Sequence, residues 1–186
     1  MPLLRTPRLD LVPGAAAHLR AALEGREALA AALDAEVPES WPPEFYDADA
    51  VRYMLGQLPE DGAGDDWGFY YLVLRADEAP GAPARPTLVG AGGFKGAPDE
   101  RGEVEVGYSL VPEHQHRGYA TEAVLRWAAF AFGDPRVRTV VAQTLPSLGP
   151  SIRVLERAGF RFAGEGHDPH APAGESVLRY KLTRDG

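Results

Sequence analysis

Residues 102–132, GEVEVGYSLVPEHQHRGYATEAVLRWAAFAF, constrain the fold more than any other stretch, because their hydrophobic period changes once, at a marked point. Val104, Val106, Tyr108 and Leu110 alternate with Glu105, Gly107 and Ser109, the period of a half-buried strand. From Tyr119 to Phe132 apolar residues lie on most sides, with Glu122 and Arg126 as the one clear polar stripe, which predicts a helix buried against a sheet. Between the two, after Pro112, stands the turn Glu113-His114-Gln115-His116-Arg117-Gly118. A strand that feeds a glycine-bearing turn at a helix start offers an anion site, since the first-turn N–H groups have no partner within the helix.

The flanking segments predict what this unit packs against. Residues 8–12 read as a first strand stopped by Pro13-Gly14. Residues 15–33 repeat Ala and Leu at helical spacing, with Gly25 placed to split them, and Asp47 is set to cap a second helix. Residues 67–74, 88–94 and 104–110 predict three strands of an antiparallel meander, with 77–86 a proline-rich hairpin connection. Residues 137–144 follow the buried helix and so predict a strand parallel to the central one. A short helix starts at Pro150, and strands at 160–163 and 177–182 close the chain around a loop of residues 165–175. The expectation is one α+β domain over residues 1–186: a mixed, mostly antiparallel sheet of six to seven strands with about four helices.

Composition narrows the classes. A formal net charge of −8 argues against nucleic-acid binding and leans toward an amine-bearing partner or simple solubility. The absence of cysteine removes disulfides, thiolate metal sites and cysteine nucleophiles. The N-terminal segment is too charged for a signal peptide and no apolar run has membrane-spanning length, so a cytoplasmic protein, monomer or homodimer, is expected. His167, Asp168 and His170 imitate a metal cluster without a fourth ligand, and no metal is expected.

With these residues in view the chain resembles the GCN5-related N-acetyltransferase (GNAT) superfamily, and most closely its ribosomal-protein (RimJ/RimL-type) branch. The likeness rests on Gln115-His116-Arg117-Gly118-Tyr119-Ala120, the preceding Glu105-Val106-Gly107-Tyr108, Thr121-Glu122-Ala123 beyond the turn, and residues 151–160, SIRVLERAGF. Thr6-Pro7-Arg8-Leu9 also fits. The resemblance implies acetyl-coenzyme A as donor. Its pyrophosphate would lie on Gln115, His116, Arg117, Gly118, Tyr119, Ala120 and Thr121, and its pantetheine between splayed central strands beside Leu110 and Val111. It further implies direct transfer to a primary amine, either a small molecule or a protein N-terminus.

Such a transfer needs a base for the ammonium and a proton for the leaving thiolate. Glu105 is the candidate base, as against a solvated carboxylate in a strand alternation, with Glu165 the alternative. Ser151 is the candidate acid, as against a plain helix cap. The chain departs from the family at Leu148, where an Asn is frequent, and no Tyr stands along the helix that carries Ser151. An acyl-coenzyme A-binding regulatory module without catalysis therefore stays open. An ATP site is disfavoured because no G-x-x-x-x-G-K-[ST] occurs. Trp41, Phe45, Tyr70 and Tyr71 are set either to line an acceptor pocket or to fill the core.

Overall fold

The structure is a computed structural model that describes residues 1–58, 67–76, 83–166 and 176–184. In chain order its elements are β1 (Leu4–Arg5), β2 (Leu9–Pro13), α1 (Ala16–Glu24), α2 (Arg26–Leu33), α3 (Ala48–Gln57), β3 (Phe69–Leu74), β4 (Thr87–Phe94), β5 (Glu103–Leu110), α4 (Tyr119–Ala131), β6 (Thr139–Thr144), α5 (Gly149–Arg157), β7 (Arg161–Gly166) and β8 (Val177–Thr183), with a 3-10 turn at Pro112–His114. Local chemistry sets several boundaries. Gly25, at φ 134°, ends α1 and opens α2, a backbone shape that costs a side-chain-bearing residue dearly. Asp47 caps α3 by accepting from the N–H groups of Asp49 and Ala50 at 3.1 and 2.9 Å.

The eight strands form one sheet in the order β1-β2-β3-β4-β5-β6-β8-β7. All neighbours are antiparallel except β5 and β6, which the α4 crossover makes parallel. Two apolar clusters cover the sheet. Trp127, Val124 and Ala123 of α4, with Leu155 of α5, pack on Val104, Val106, Val140 and Ala142. On the opposite face Leu19, Leu29 and Val51 of α1–α3 cover Tyr71, Val73, Leu88 and Ala91 of β3 and β4. Over β5, β6 and β8 that second face carries polar side chains in register. Glu105, Val141 and Lys181 form one row across the three strands, and Gln143 stands opposite Arg179.

The parallel pair is short. β5 and β6 register from Glu103↔Thr139 to Val106↔Ala142 and then part, while β6 goes on pairing with β8 to Thr144↔Leu178. Gly107 to Leu110 thus keep β4 as partner and leave β6, so a slot opens inside the sheet.

Three expectations change. The sheet has eight strands rather than six to seven, because two residues suffice for β1 to pair with β2 (Leu4↔Leu11), too few to give a period. There are five described helices rather than four, since Gly25 cuts one in two. β7 runs to Gly166, so Glu165 lies within a strand opposite Leu178 and not in a loop. Residues 59–66, 77–82 and 167–175 lie outside the described residues, and with them His167, Asp168, His170 and most of the 77–86 connection.

Candidate active site

The turn after β5 is built around two left-handed residues, His116 at φ 60° and Gly118 at φ 86°, of which Gly118 is the N-cap of α4. Successive turns of opposite hand curl backbone N–H groups toward one concavity. No side chain caps α4, so its first-turn N–H groups carry no capping bond. The Gln115 side chain folds back and donates from Nε2 to the Leu110 carbonyl oxygen at 3.0 Å, fastening the turn to the strand.

The N-terminal segment supplies a cation here. Arg8 lies with its guanidinium 4.5 Å from the centre of the Tyr119 ring, and its Nη2 stands 3.3 Å from where a Cβ on Gly118 would lie. Glu122 holds it there, accepting from the Arg8 N–H at 2.7 Å, from Arg8 Nε at 2.8 Å and from Thr6 Oγ1 at 2.6 Å. Burial works to raise the Glu122 carboxyl, but the bonds from Thr6 and Arg8 outweigh it and hold the group below the usual carboxylate range. Burial, and then Arg117, push His114 below its ordinary value. His114 Nδ1 is buried and finds no hydrogen-bond partner among the described residues.

Backbone direction along the slot follows from the pleat. Val111 donates to Val89 O at 3.1 Å, and Glu105 accepts from the Lys95 N–H at 2.9 Å, so odd-numbered residues turn their peptide groups toward β4. Tyr108 and Leu110 consequently turn theirs toward β6, where the pairing has ended. Val111 is thereby corrected as a donor of free backbone groups: its N–H serves Val89 and its carbonyl accepts from His114 at 3.0 Å. Thr144, the last residue of β6, has a buried hydroxyl that finds no partner among the described residues.

The two faces of the slot differ. Toward α4 and α5, Tyr108 Oη stands 3.0 Å from Ser151 Oγ and 3.2 Å from the Ser151 carbonyl. Burial pushes the Tyr108 phenol up to about 12, although its bond to Ser151 pulls the other way. Ser151 does not cap α5, because that position belongs to Leu148, which offers no side-chain acceptor. On the opposite face Glu105, 21% exposed, accepts from Gln143 Nε2 at 3.0 Å, and its other oxygen meets Lys95 Nζ at 2.5 Å. The second contact is one of charge, off the angles of a hydrogen bond. Around them lies a polar cavity of about 260 Å³ lined by Lys95, Asp99, Glu103, Glu105, Val141 and Arg179. Arg179 Nη2 pairs with Glu103 Oε2 at 2.7 Å.

The structure thus brings Glu105 to one face of the slot and Ser151 to the other, with residues 115–121 at the start of α4. Glu165 stands in the sheet's outermost strand. Tyr70 and Tyr71 are fully buried and belong to the core, Tyr71 accepting the Tyr46 hydroxyl at 2.7 Å, whereas Phe45 is exposed. Sequence reasoning missed Arg8, Lys95, Tyr108, Gln143 and Thr144. Arg8 left a trace in the Thr6-Pro7-Arg8-Leu9 signature and Tyr108 in the Glu105-Val106-Gly107-Tyr108 block, though neither with a role. Among the described residues no group of three or more acidic or histidine side chains could hold a metal ion.

The frame is a mixed sheet that parts beside its central strand, which feeds an uncapped helix start, and comparison gives that frame a family. The chain belongs to the acetyltransferase (GNAT) domain family, whose profile matches residues 8–161. The uncharacterized N-acetyltransferase p20 of Bacillus licheniformis is 31% identical over 130 residues, covering 70% of this chain and 67% of that protein. A GNAT-family acetyltransferase from Bacillus anthracis has the same fold, with a TM-score of 0.66 at 17% identity and 100% of both chains covered. RimL, a ribosomal-protein alpha-N-acetyltransferase solved in complex with coenzyme A, superposes with a TM-score of 0.65 at 15% identity over 98% of each chain. No helix among the described residues is long and apolar enough to cross a membrane.

Proposed function

We propose that this protein moves an acetyl group from acetyl-coenzyme A to a primary amine, by direct attack while both are bound. The observation that carries this reading is the parting of β5 and β6 after Val106 and Ala142, which joins an anion cradle and two proton-handling faces through one slot.

The residues present fit the donor. The uncapped first turn of α4 offers N–H groups to a pyrophosphate, which residues 116–121 would hold, while Arg117 and Arg8 add positive charge. Gly118 and Ala120 keep bulk away from the backbone, and Gln115 holds the turn to β5. In the slot the Leu110 N–H is turned toward the space a pantetheine would take, its carbonyl being held by Gln115, while the orphaned Thr144 hydroxyl ends β6 and Val111 forms a wall. A buried hydroxyl without a partner costs about 1–3 kcal/mol, so a ligand that bonds it is favoured.

Acetyl-coenzyme A supplies an acyl group already activated as a thioester. Glu105 takes a proton from the incoming ammonium, directly or through a water, while Gln143 orients its carboxylate. Ser151 gives a proton to the departing thiolate, with Tyr108 behind it. Amine and thiol therefore work from opposite faces of the sheet and do not compete for room. The acceptor is a small amine or a protein N-terminus, the second supported by the fold shared with RimL, and a cytoplasmic setting suits both. A regulatory module that binds acyl-coenzyme A without turnover is the second reading, favoured by the uncapped Leu148.

Thermal unfolding with coenzyme A, acetyl-coenzyme A and ATP, followed by thiol release with a panel of amines, tests this. Stabilisation by both coenzyme A forms and amine-dependent thiol release is expected. Stabilisation without release by any amine would hand the site to the module reading, and stabilisation by ATP alone would remove both.

A further inference from the structure

Lysine is rare in this chain: of nineteen lysines and arginines only Lys95 and Lys181 are lysines. Both stand on the polar face of the sheet. Lys181 shares the row of Glu105 across β6 and β8, and Lys95 follows β4 alongside Glu105. Lys95 alone reaches the candidate base, with Nζ 2.5 Å from Glu105 Oε1. Its path passes Gly107, the first residue of β5 beyond the last β6 pair. A Cβ placed there would lie 3.6 Å from Lys95 Cε, an ordinary van der Waals contact, so the side chain runs alongside Gly107 at the mouth of the slot. The carboxylate expected to receive a substrate ammonium already holds one, and that ammonium belongs to the protein.

We propose that Lys95 is a self-acetylation site. The inference rests on the acetyltransferase reading above. Glu105 takes one proton from the Lys95 ammonium and passes it to water. The freed lone pair attacks the thioester carbonyl, the carbon–nitrogen bond forms and the carbon–sulfur bond breaks. A second proton leaves the nitrogen, balancing the one the thiolate gains on becoming a thiol. The product is a neutral amide. It can no longer pair with Glu105, and its stem is no longer drawn across Gly107. Acetylation therefore converts a face closed by its own ammonium into one open to an external amine, and early turnover should accelerate as Lys95 is consumed. Lys181, exposed in the same row, is an internal control for non-specific chemistry.

The test incubates the whole protein with acetyl-coenzyme A and no added amine, and maps acetyl groups by peptide mass spectrometry over time and protein concentration. Binding is followed in parallel by thermal stabilisation with coenzyme A. Acetyl at Lys95 is expected well ahead of Lys181, at a rate independent of protein concentration, reduced by about 100-fold in Glu105→Gln and abolished at that position in Lys95→Arg. Protein that binds coenzyme A but leaves Lys95 unmodified would overturn the inference and spare the acetyltransferase reading. So would equal labelling of Lys95 and Lys181, or labelling that Glu105→Gln leaves intact in a normally folded protein. Loss of coenzyme A binding in the wild type would instead bring down the acetyltransferase reading, and this inference with it.

Discussion

Tyr108 Oη and Ser151 Oγ lie 3.0 Å apart, joining the end of β5 that has left β6 to the first turn of α5. The phenol has one proton. Donated to the Ser151 carbonyl, it leaves Oη to accept the serine proton; donated to Oγ, it frees that proton for a leaving group. Tyr108→Phe and Ser151→Ala should each lower kcat by about 10- to 100-fold with little change in KM for acetyl-coenzyme A. The double variant should lose no more than the worse single one, because the two act as a unit. Steady-state thiol release reads both. Full additivity would separate their roles.

Glu105→Gln should reduce kcat/KM for an external amine by about 100- to 1,000-fold. The loss should shrink as pH rises toward the amine's own pKa, because an increasing share arrives already deprotonated. A pH-independent deficit would assign Glu105 to binding alone.

Gly118→Ala tests the turn. At φ 86° a side chain is strained, and its Cβ would press on Arg8 Nη2 at 3.3 Å. The expected cost is about 1 kcal/mol of stability, with a larger loss of coenzyme A affinity because the backbone recedes from the anion. Calorimetric titration against chemical denaturation distinguishes the two effects.

Glu122 makes the N-terminal anchor sensitive to acid. Its folded pKa lies below the ordinary carboxylate value, so the unfolded chain binds the proton more readily. Its contribution is full above that ordinary value and is lost as pH falls through the depressed one. Melting curves of wild type and Glu122→Gln should differ near neutrality and converge once pH has fallen below the depressed folded value.

Leu148→Asn restores an acceptor at the start of α5, where no side chain caps the helix. It should stabilise the protein by about 0.5–1 kcal/mol, read as a rise in the unfolding midpoint.

The strand–turn–helix core was legible because its signals are local: two periods, a glycine at the joint, a proline before it. Asp47 and Gly25 acted as their chemistry predicts. β1 was illegible, since two residues have no periodicity and Leu4 is buried only because Leu11 lies opposite. β7 outran its prediction because a register shift between Phe162 and Glu165 breaks the alternation that sequence reading depends on. The site was half legible. Tyr108 reads as one more apolar residue of β5, and only the 43-residue separation closed by the fold shows its hydroxyl meeting Ser151. Lys95 and Gln143 are likewise defined by what β5 and β6 bring beside them. The chemistry of a carboxylate depends on its neighbours, and these come from distant sequence.

An unpaired strand edge usually invites a foreign strand and, through it, aggregation. Here the bare edges of β5 and β6 face each other at the end of a joined pair. A polypeptide entering there would need room for side chains on both faces, between strands that diverge from a closed end. A thin chain bearing amides and no regular side chains meets no such barrier. The same geometry that interrupts the sheet thus filters what can complete it, and an otherwise sticky defect becomes an opening selective for slender guests.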